Sequence, residues 1–262
     1  MKVDMGQKNI YFISDLHLGA HYLDKRESER RVTEFLLSIK DDAEELFLLG
    51  DILDYWFEYR NVVPQGHVRF LGTLATLVDA GVKITWLTGN HDVWLRQYLA
   101  REIGLRVIHR NEIITLRGKK FFISHGDDVG RRPFSYRFMR FCFYNPVCQW
   151  LYAAVHPRWT TAIANGWSTH NRVSRSQKSE NEEAKRGLED LSAWVVEHSK
   201  AHPEVDFYVM GHLHIPHYRT LDNSAVFALL GNWINMSTYA VFDGERLVLR
   251  SATDDKEITI NE

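Results

Sequence analysis

The chain has 262 residues, 45% of them apolar, which allows one large domain or two small ones with a sizeable core. With 32 Lys plus Arg against 34 Asp plus Glu the formal charge is −2, which argues against a general nucleic-acid binder but allows a local basic patch. Two cysteines, Cys142 and Cys148, make no disulfide framework, the first residues lack a signal-peptide pattern, and no stretch reaches the roughly 18 apolar residues of a spanning helix, so the expectation is a cytosolic protein with reduced thiols.

Short apolar runs alternate with helical patterns along the first half. Ile10–Ser14 reads as a buried strand, and residues 24–40 place Val32, Phe35, Leu36 and Ile39 at helical spacing. Glu45–Leu49 is a second strand. Residues 67–80 repeat the helical period at Val68, Leu71, Leu74, Ala75 and Val78, with Gly81 as a stop signal. Lys83–Thr88 is a third strand. This βαβαβ order implies parallel strands with helices packed on them. Afterwards the strands come in quick succession: Arg106–His109, Glu112–Arg117 and Lys120–Ser124, then Phe207–Met210, Ala225–Leu230, Thr238–Phe242 and Arg246–Leu249. The expected fold is α/β, with two sheets face to face, the later one partly antiparallel, and helices flanking both. Between Ser124 and Phe207 lies a long, helical-looking insertion.

Chemistry-bearing residues sit where these strands end. Asp15 and His17 follow the first, Asp51 and Asp54 the second, and Asn90, His91 and Asp92 the third. His125 follows Phe121–Ser124, and His212 and His214 follow Phe207–Met210. Sites in open α/β sheets form at carboxyl ends of strands, so five strands deliver O and N donors to one edge. Each motif alone is commonplace; a D-x-H is usually a turn Asp and a surface His, and a G-D-x-x-D is more often a helix cap. The joint event is specific: five motifs in order, each after a strand-like run, most beside a Gly that admits close backbone approach. Mixed carboxylate, imidazole and amide donors suit Mn²⁺, Fe or Zn²⁺ better than Ca²⁺ or a thiolate site.

The blocks DLH, GDILD, GNHD, HGD and GHLH resemble the five signatures of the calcineurin-like metallophosphoesterases, over about residues 10 to 240. The resemblance implies a four-layer α/β/β/α sandwich and two divalent metal ions, often Mn²⁺. It implies that Asp15, His17, Asp51 and His214 hold one ion. Asp51, Asn90, His125 and His212 would hold the other, with Asp51 bridging. It casts His91 as a transition-state donor or leaving-group acid steadied by a carboxylate such as Asp54; the alternative is a structural His at the turn. Asp92, Asp127 and Asp128 are candidates for orienting ligands. The other eight histidines read as surface or core residues.

The insertion narrows the substrate. From Val129 to Ser179 there is no Asp or Glu, against eight basic residues (Arg131, Arg132, Arg137, Arg140, Arg158, Arg172, Arg175 and Lys178) and ten aromatics. Such a segment suits anionic headgroups with acyl chains, or single-stranded nucleic acid, or simply a helical subdomain packing its own aromatics. A helical cap between HGD and GHLH looks like the UDP-2,3-diacylglucosamine pyrophosphatases of lipid A biosynthesis. That resemblance implies a core of residues 1–128 and 205–262 and a cap of 129–204. It further implies substrate contacts from Arg172, Arg175 and Lys178, release of UMP from a nucleotide-linked lipid, and a peripheral position on anionic inner-leaflet lipid. The best-known branch has Arg after the metal-binding Asn, where this chain has His91. Three alternatives stay open: a soluble phosphohydrolase for dinucleoside polyphosphates or cyclic nucleotides, a nuclease, and a non-catalytic scaffold.

Overall fold

The computed structural model describes residues 8–130, 132–163, 166 and 177–258; in the helix that begins at Gln177, side chains are described from residue 182. The first half alternates as its periodicity dictates. Strand β1 (Asn9–Ile13) leads to α1 (Lys25–Ser38), β2 (Ala43–Leu49), α2 (Val68–Asp79), β3 (Lys83–Leu87), α3 (Tyr98–Ile103) and β4 (Arg106–Ile108). Helix α1 starts where Asp24 accepts hydrogen bonds from the N–H groups of Arg26 and Glu27, both 3.0 Å. Its Val32, Phe35 and Leu36 are buried, the 3–4 spacing that puts one apolar stripe on the sheet.

Strands β1 to β4 are parallel neighbours, so β1, β2 and β3 all end at one edge. The chain then builds a second sheet from β5 (Glu112–Leu116), β6 (Lys119–Ile123), β7 (Phe207–Met210), β8 (Pro216–Thr220) and β9 (Val226–Leu230), in the order β5-β6-β7-β9-β8. Its inner strands β6, β7 and β9 are parallel and its two edges antiparallel. Finally β10 (Thr238–Phe242) and β11 (Leu247–Ser251) return to the first sheet, β10 pairing antiparallel with β1. Two elements escape the sequence pattern. Strand β8 is a half-exposed edge strand that opens on a proline and shows no clean alternation. Helix α3 has only 6 residues, stopped by Gly104 at φ 86°.

Alternation along the strands separates the layers. Ile10 and Phe12 of β1 face the second sheet, while Tyr11 and Ile13 face α1 and α2. Between the sheets Phe12 stacks on Phe47 at 5.0 Å and on Phe121 at 5.6 Å, and Phe121 stacks on Phe207 at 4.6 Å. Each such fully buried ring is worth about 1.5–3 kcal/mol of transfer free energy. The far face of the second sheet, with Phe122, Tyr208, Met210 and Leu229, is covered by Leu191 and Val195 of α7 (Gln177–Ala201). The layers are therefore α, β, β, α, the sandwich expected from the sequence.

Among the described residues three cap helices follow the loop after β6: α4 (Phe134–Tyr144), α5 (Pro146–Ala154) and α6 (residues 157–163). Neither α4 nor α5 contains a buried residue. The cap is tied to the loops that follow β2 and β3. Trp94 Nε1 donates to the Phe143 carbonyl at 2.9 Å, Arg96 to Gln149 at 2.6 Å, and the Tyr55 and Tyr152 hydroxyls meet at 3.2 Å.

Candidate metal centre

The site begins where β1, β2, β3, β6 and β7 stop. Beyond their ends the loops hydrogen-bond to one another: Asp15 N–H to Gly50 O at 3.1 Å, His17 N–H to Asp51 O at 3.0 Å, and Gly211 N–H to His125 O at 3.0 Å. The turns are tight enough to force five candidate ligands into the left-handed backbone region: Asp15 (φ 55°), His17 (46°), Asp51 (53°), His212 (73°) and His214 (58°). Non-glycine residues rarely adopt that region, and a cluster of them marks a place where side-chain placement overrides backbone preference. Glycines allow the close approach. A Cβ on Gly89 would run into the Asp51 carboxylate, and one on Gly211 into the Asp15 carboxylate.

Asp15, His17, Asp51 and His214 converge, each offering a donor atom within 4.8 Å of the others. His214 Nε2 lies 3.1 Å from Asp15 Oδ1 and 3.2 Å from His17 Nε2, and His17 Nε2 is 3.7 Å from Asp51 Oδ2. On the other side of Asp51, its Oδ2 is 3.3 Å from His125 Nε2, and the His125 and His212 rings meet edge to face at 5.2 Å. Asp51 thus stands between two groups of imidazoles. Asp15, His17, Asp51 and His125 are buried, whereas Asn90, His91, His212 and His214 are partly open. A substrate would approach from that open side.

Neither Asp15 nor Asp51 has a Lys or Arg at ion-pair distance among the described residues; their charged neighbours are histidines. Burial raises the Asp15 carboxyl, but His214 and His125 outweigh it and hold it at about 2. Burial likewise opposes ionisation of Asp51, yet His125 and His91 bring it well below the usual range. His125 would be lowered by burial, but Asp51 holds it well above its ordinary value. His17 is lowered to about 4, chiefly by burial. Burial, then the charges of His125 and Arg132, keep His212 well below the ordinary imidazole value.

This donor set fits divalent cations. Asp15 Oδ1, Asn90 Oδ1 and His125 Nε2 are buried and make no well-directed hydrogen bond, although His214 Nε2 lies 3.1 Å from the first and Asp51 Oδ2 3.3 Å from the third, an arrangement of donors facing a common point rather than one another. Two carboxylates and four imidazoles with an amide oxygen are ligands for Mn²⁺, Fe or Zn²⁺, and the centre is a candidate dinuclear site.

Other groups hold these donors in place. His17 Nδ1 donates to Asp54 Oδ1 at 3.1 Å, and His125 Nδ1 to Leu49 O at 2.9 Å, leaving each Nε2 toward the cluster. Ser14 Oγ and the His212 N–H both donate to Asp15 Oδ2, at 2.6 and 3.0 Å. Asp92, fully buried, accepts from Gly89 N–H at 2.6 Å, Ile52 N–H at 3.0 Å and Trp86 Nε1 at 3.1 Å, joining the Asp51 and Asn90 loops. His91 N–H donates to Asp51 Oδ1 at 2.9 Å. Its ring Nδ1 is 3.0 Å from the Asp54 carbonyl and 3.4 Å from the Asp54 carboxylate. Asp54 therefore steadies His91 mainly through its main chain and gives its carboxylate to His17.

Asn232 was not legible as a site residue, although it follows β9 in a Gly-Asn pair as Asn90 follows β3. Its Nδ2 donates to the His214 carbonyl at 2.8 Å, and the neighbouring Trp233 N–H to the Asp15 carbonyl at 3.1 Å. The arginines of the basic segment are not equivalent in the structure. Arg140 turns inward to an ion pair with Asp127 and lies 3.3 Å from Asp128. Arg132 turns inward to the Gly126 carbonyl. Arg131, Arg172, Arg175 and the Lys178 side chain lie outside the described residues.

Sequence comparison adds to this geometry. The family model described as calcineurin-like phosphoesterase matches residues 8–216. A UDP-2,3-diacylglucosamine hydrolase of Porphyromonas gingivalis is 43% identical over 259 residues, covering 95% of this chain and 99% of that protein. Proteins of the same name from Edwardsiella ictaluri and Serratia proteamaculans are 30% and 29% identical, covering 83% and 91% of their lengths and 85% and 86% of this chain.

Proposed function

The chain belongs to the calcineurin-like phosphoesterases, and from that premise we propose that it hydrolyses the diphosphate bond of UDP-2,3-diacylglucosamine, giving 2,3-diacylglucosamine 1-phosphate and UMP. The observation that carries the reading is the convergence of Asp15, His17, Asp51 and His214 at the strand ends of a chain so close to a hydrolase of that name. In this assignment those four residues would hold one ion, and Asp51, Asn90, His125 and His212 would hold a second. Mn²⁺ is the ion proposed. Two such ions supply Lewis-acid polarisation of phosphoryl oxygens and activation of water.

The chain's own residues do the rest. Asn90 donates a ligand oxygen without adding negative charge, so the centre stays attractive to a diphosphate. His91 spends its Nδ1 proton on the Asp54 carbonyl, a group that can only accept. As the imidazolium, protonated on both nitrogens, His91 would then pass its Nε2 proton, or donate a hydrogen bond from it, to the departing phosphate oxygen, and be left neutral with the Nδ1 proton still on the Asp54 carbonyl. Asp54 holds the His17 imidazole in the tautomer that presents Nε2.

The proposed division into a core of 1–128 and 205–262 and a cap of 129–204 is amended at α7, which falls within 129–204 but packs Leu191 and Val195 on the second sheet and so belongs with the core as its fourth layer. The cap would receive the acyl chains, with Arg172, Arg175 and Lys178 as polar contacts. No helix among the described residues is long and apolar enough to cross a membrane. A peripheral position on the inner face of the inner membrane is supported by the outward side chains of α4 to α6, where Phe134 is 80% exposed, Trp150 69% and Trp159 67%. The deciding experiment is an assay of the Mn²⁺-loaded protein on the diacylated UDP-sugar, a dinucleoside tetraphosphate, a cyclic nucleotide and DNA. UMP release from the first alone is the expected result. Comparable turnover of a soluble nucleotide would overturn the substrate assignment.

A further inference from the structure

Two arginines turn back toward the loop after β6, Arg132 just ahead of α4 and Arg140 on α4 itself, and they are not equivalent. Arg140 is neutralised: its Nη1 pairs with Asp127, and its Nη2 is 3.3 Å from Asp128. Asp127 is further committed to the Tyr136 hydroxyl at 3.0 Å. Both carboxylates of the loop are thereby taken. Arg132 has no carboxylate at ion-pair distance among the described residues. Its guanidinium donates through Nη2 to the Gly126 carbonyl, while its buried Nε has no hydrogen-bond partner. The Tyr136 ring lies 5.9 Å away and completes its surroundings.

The position of that cation follows from its anchor. Gly126 adjoins His125, and a Cβ on it would be 3.4 Å from both the Gly211 carbonyl and His212 Cβ. The Arg132 head therefore stands beside the turn that presents His125 and His212, on the partly open side of the centre. A half-buried guanidinium without a counter-ion is costly unless an anion visits it. Its fork matches the paired oxygens of a phosphate.

We propose that Arg132 is a substrate-binding residue that grips a non-bridging phosphate oxygen of the diphosphate at the metal centre. This rests on the reading of the chain as a phosphoester hydrolase. It also separates Arg132 from the other basic residues of the insertion, such as Arg137, which is exposed on α4.

The test uses the Mn²⁺-loaded protein and two probes, UMP and inorganic phosphate, with binding followed by calorimetry and ions per chain by elemental analysis. Loss of one charge-assisted hydrogen-bonded contact is worth roughly 10- to 100-fold in affinity. Arg132→Met and Arg132→Gln should weaken both probes by about that factor, with metal content and melting temperature retained. Arg132→Lys should keep part of the affinity, and Arg137→Met should change nothing. Unchanged probe affinity in Arg132→Met would overturn the proposal. So would a loss of affinity accompanied by loss of metal or of stability, which would make Arg132 a clamp on the Gly126 loop. If the wild type failed to release UMP from the diacylated UDP-sugar, the substrate reading would fall, while direct phosphate binding would still decide on Arg132.

Discussion

Replacing Asp92 by Asn should loosen the centre without touching a candidate ligand. The carboxylate is fully buried and meets three donors on two oxygens: Gly89 N–H on Oδ1, and Ile52 N–H and Trp86 Nε1 on Oδ2. An amide has one acceptor oxygen. Turned toward Ile52 and Trp86, it sets its own N–H against the Gly89 N–H, leaving two buried donors opposed. Each orphaned donor costs about 1–3 kcal/mol, so the variant should lose roughly 2–4 kcal/mol. The size of the loss depends on pH, because burial and the nearby Asp51 charge raise the Asp92 carboxyl to about 6. A carboxyl raised on folding favours the fold below its unfolded value near 3.8, and that contribution is lost as pH climbs through about 6. Wild type therefore gives up stability between about pH 4 and 6 that Asp92→Asn never had, and the gap between them should be wider at pH 4 than at pH 7.5. Urea unfolding of the chelator-treated proteins at both pH values measures this. A loss under about 0.5 kcal/mol, or a gap that widens with pH, would refute the reasoning.

Three further outcomes follow from the proposed site. Asp51→Ala should abolish turnover and empty at least one of two metal positions; two tightly bound ions with normal turnover would remove Asp51 from the bridge. His91→Ala should lower kcat by roughly 10²–10⁴-fold with both ions retained, as for loss of a general acid, and an unchanged kcat would return His91 to a turn-forming role. Replacing Phe138, Phe141 and Trp150 together by Ser should release the protein from anionic vesicles and raise KM for the diacylated UDP-sugar while hydrolysis of a small phosphodiester persists. Undiminished vesicle binding would locate any membrane contact elsewhere.

The strand-end blocks were legible because the ligands are dictated locally. A parallel strand must end at the shared edge, and the next few residues are the only ones that can turn a donor inward. Asp15 with His17, Asp51 with Asp54, and His212 with His214 are therefore contiguous in sequence as well as in space. Supporting groups are less visible. Ser14, Trp86 and Asn232 act through side-chain hydrogen bonds to Asp15, Asp92 and the His214 carbonyl, and no spacing announces them. The orientation of Arg132 and Arg140 was equally hidden, since composition counts charges but not the side they face. Only the proximity of Asp127 and Asp128, placed just before the acid-free stretch, explains why Arg140 turns inward. Helix α7 looked like part of the insertion because it stands between the strands it covers, β6 before it and β7 and β9 after it, and begins as the acid-free stretch ends.

The left-handed ligands make a last, separate demand. Backbone held in so sparsely populated a region costs of order 1–3 kcal/mol per residue, and Asp15, His17, Asp51, His212 and His214 all adopt it. Part of that cost is offset by the bonds that zip the loops together, such as Asp15 N–H to Gly50 O and His17 N–H to Asp51 O. The rest falls on whatever holds the side chains inward. Within the protein, Asp15 Oδ1, Asn90 Oδ1 and His125 Nε2 make no well-directed hydrogen bond that would do so. Ion binding should therefore act on the loops before it acts on the sheets. At 100 times its Kd an ion stabilises the folded state by about 2.7 kcal/mol per site. Adding Mn²⁺ to chelator-treated protein should raise the melting temperature and slow hydrogen exchange over residues 15–18, 51–54 and 211–214. Exchange in β1, β2 and β7 themselves should change little under conditions where opening is local. Equal protection of those loops with and without Mn²⁺ would mean that the backbone holds the left-handed turns unaided, and that the ions bind a centre already rigid.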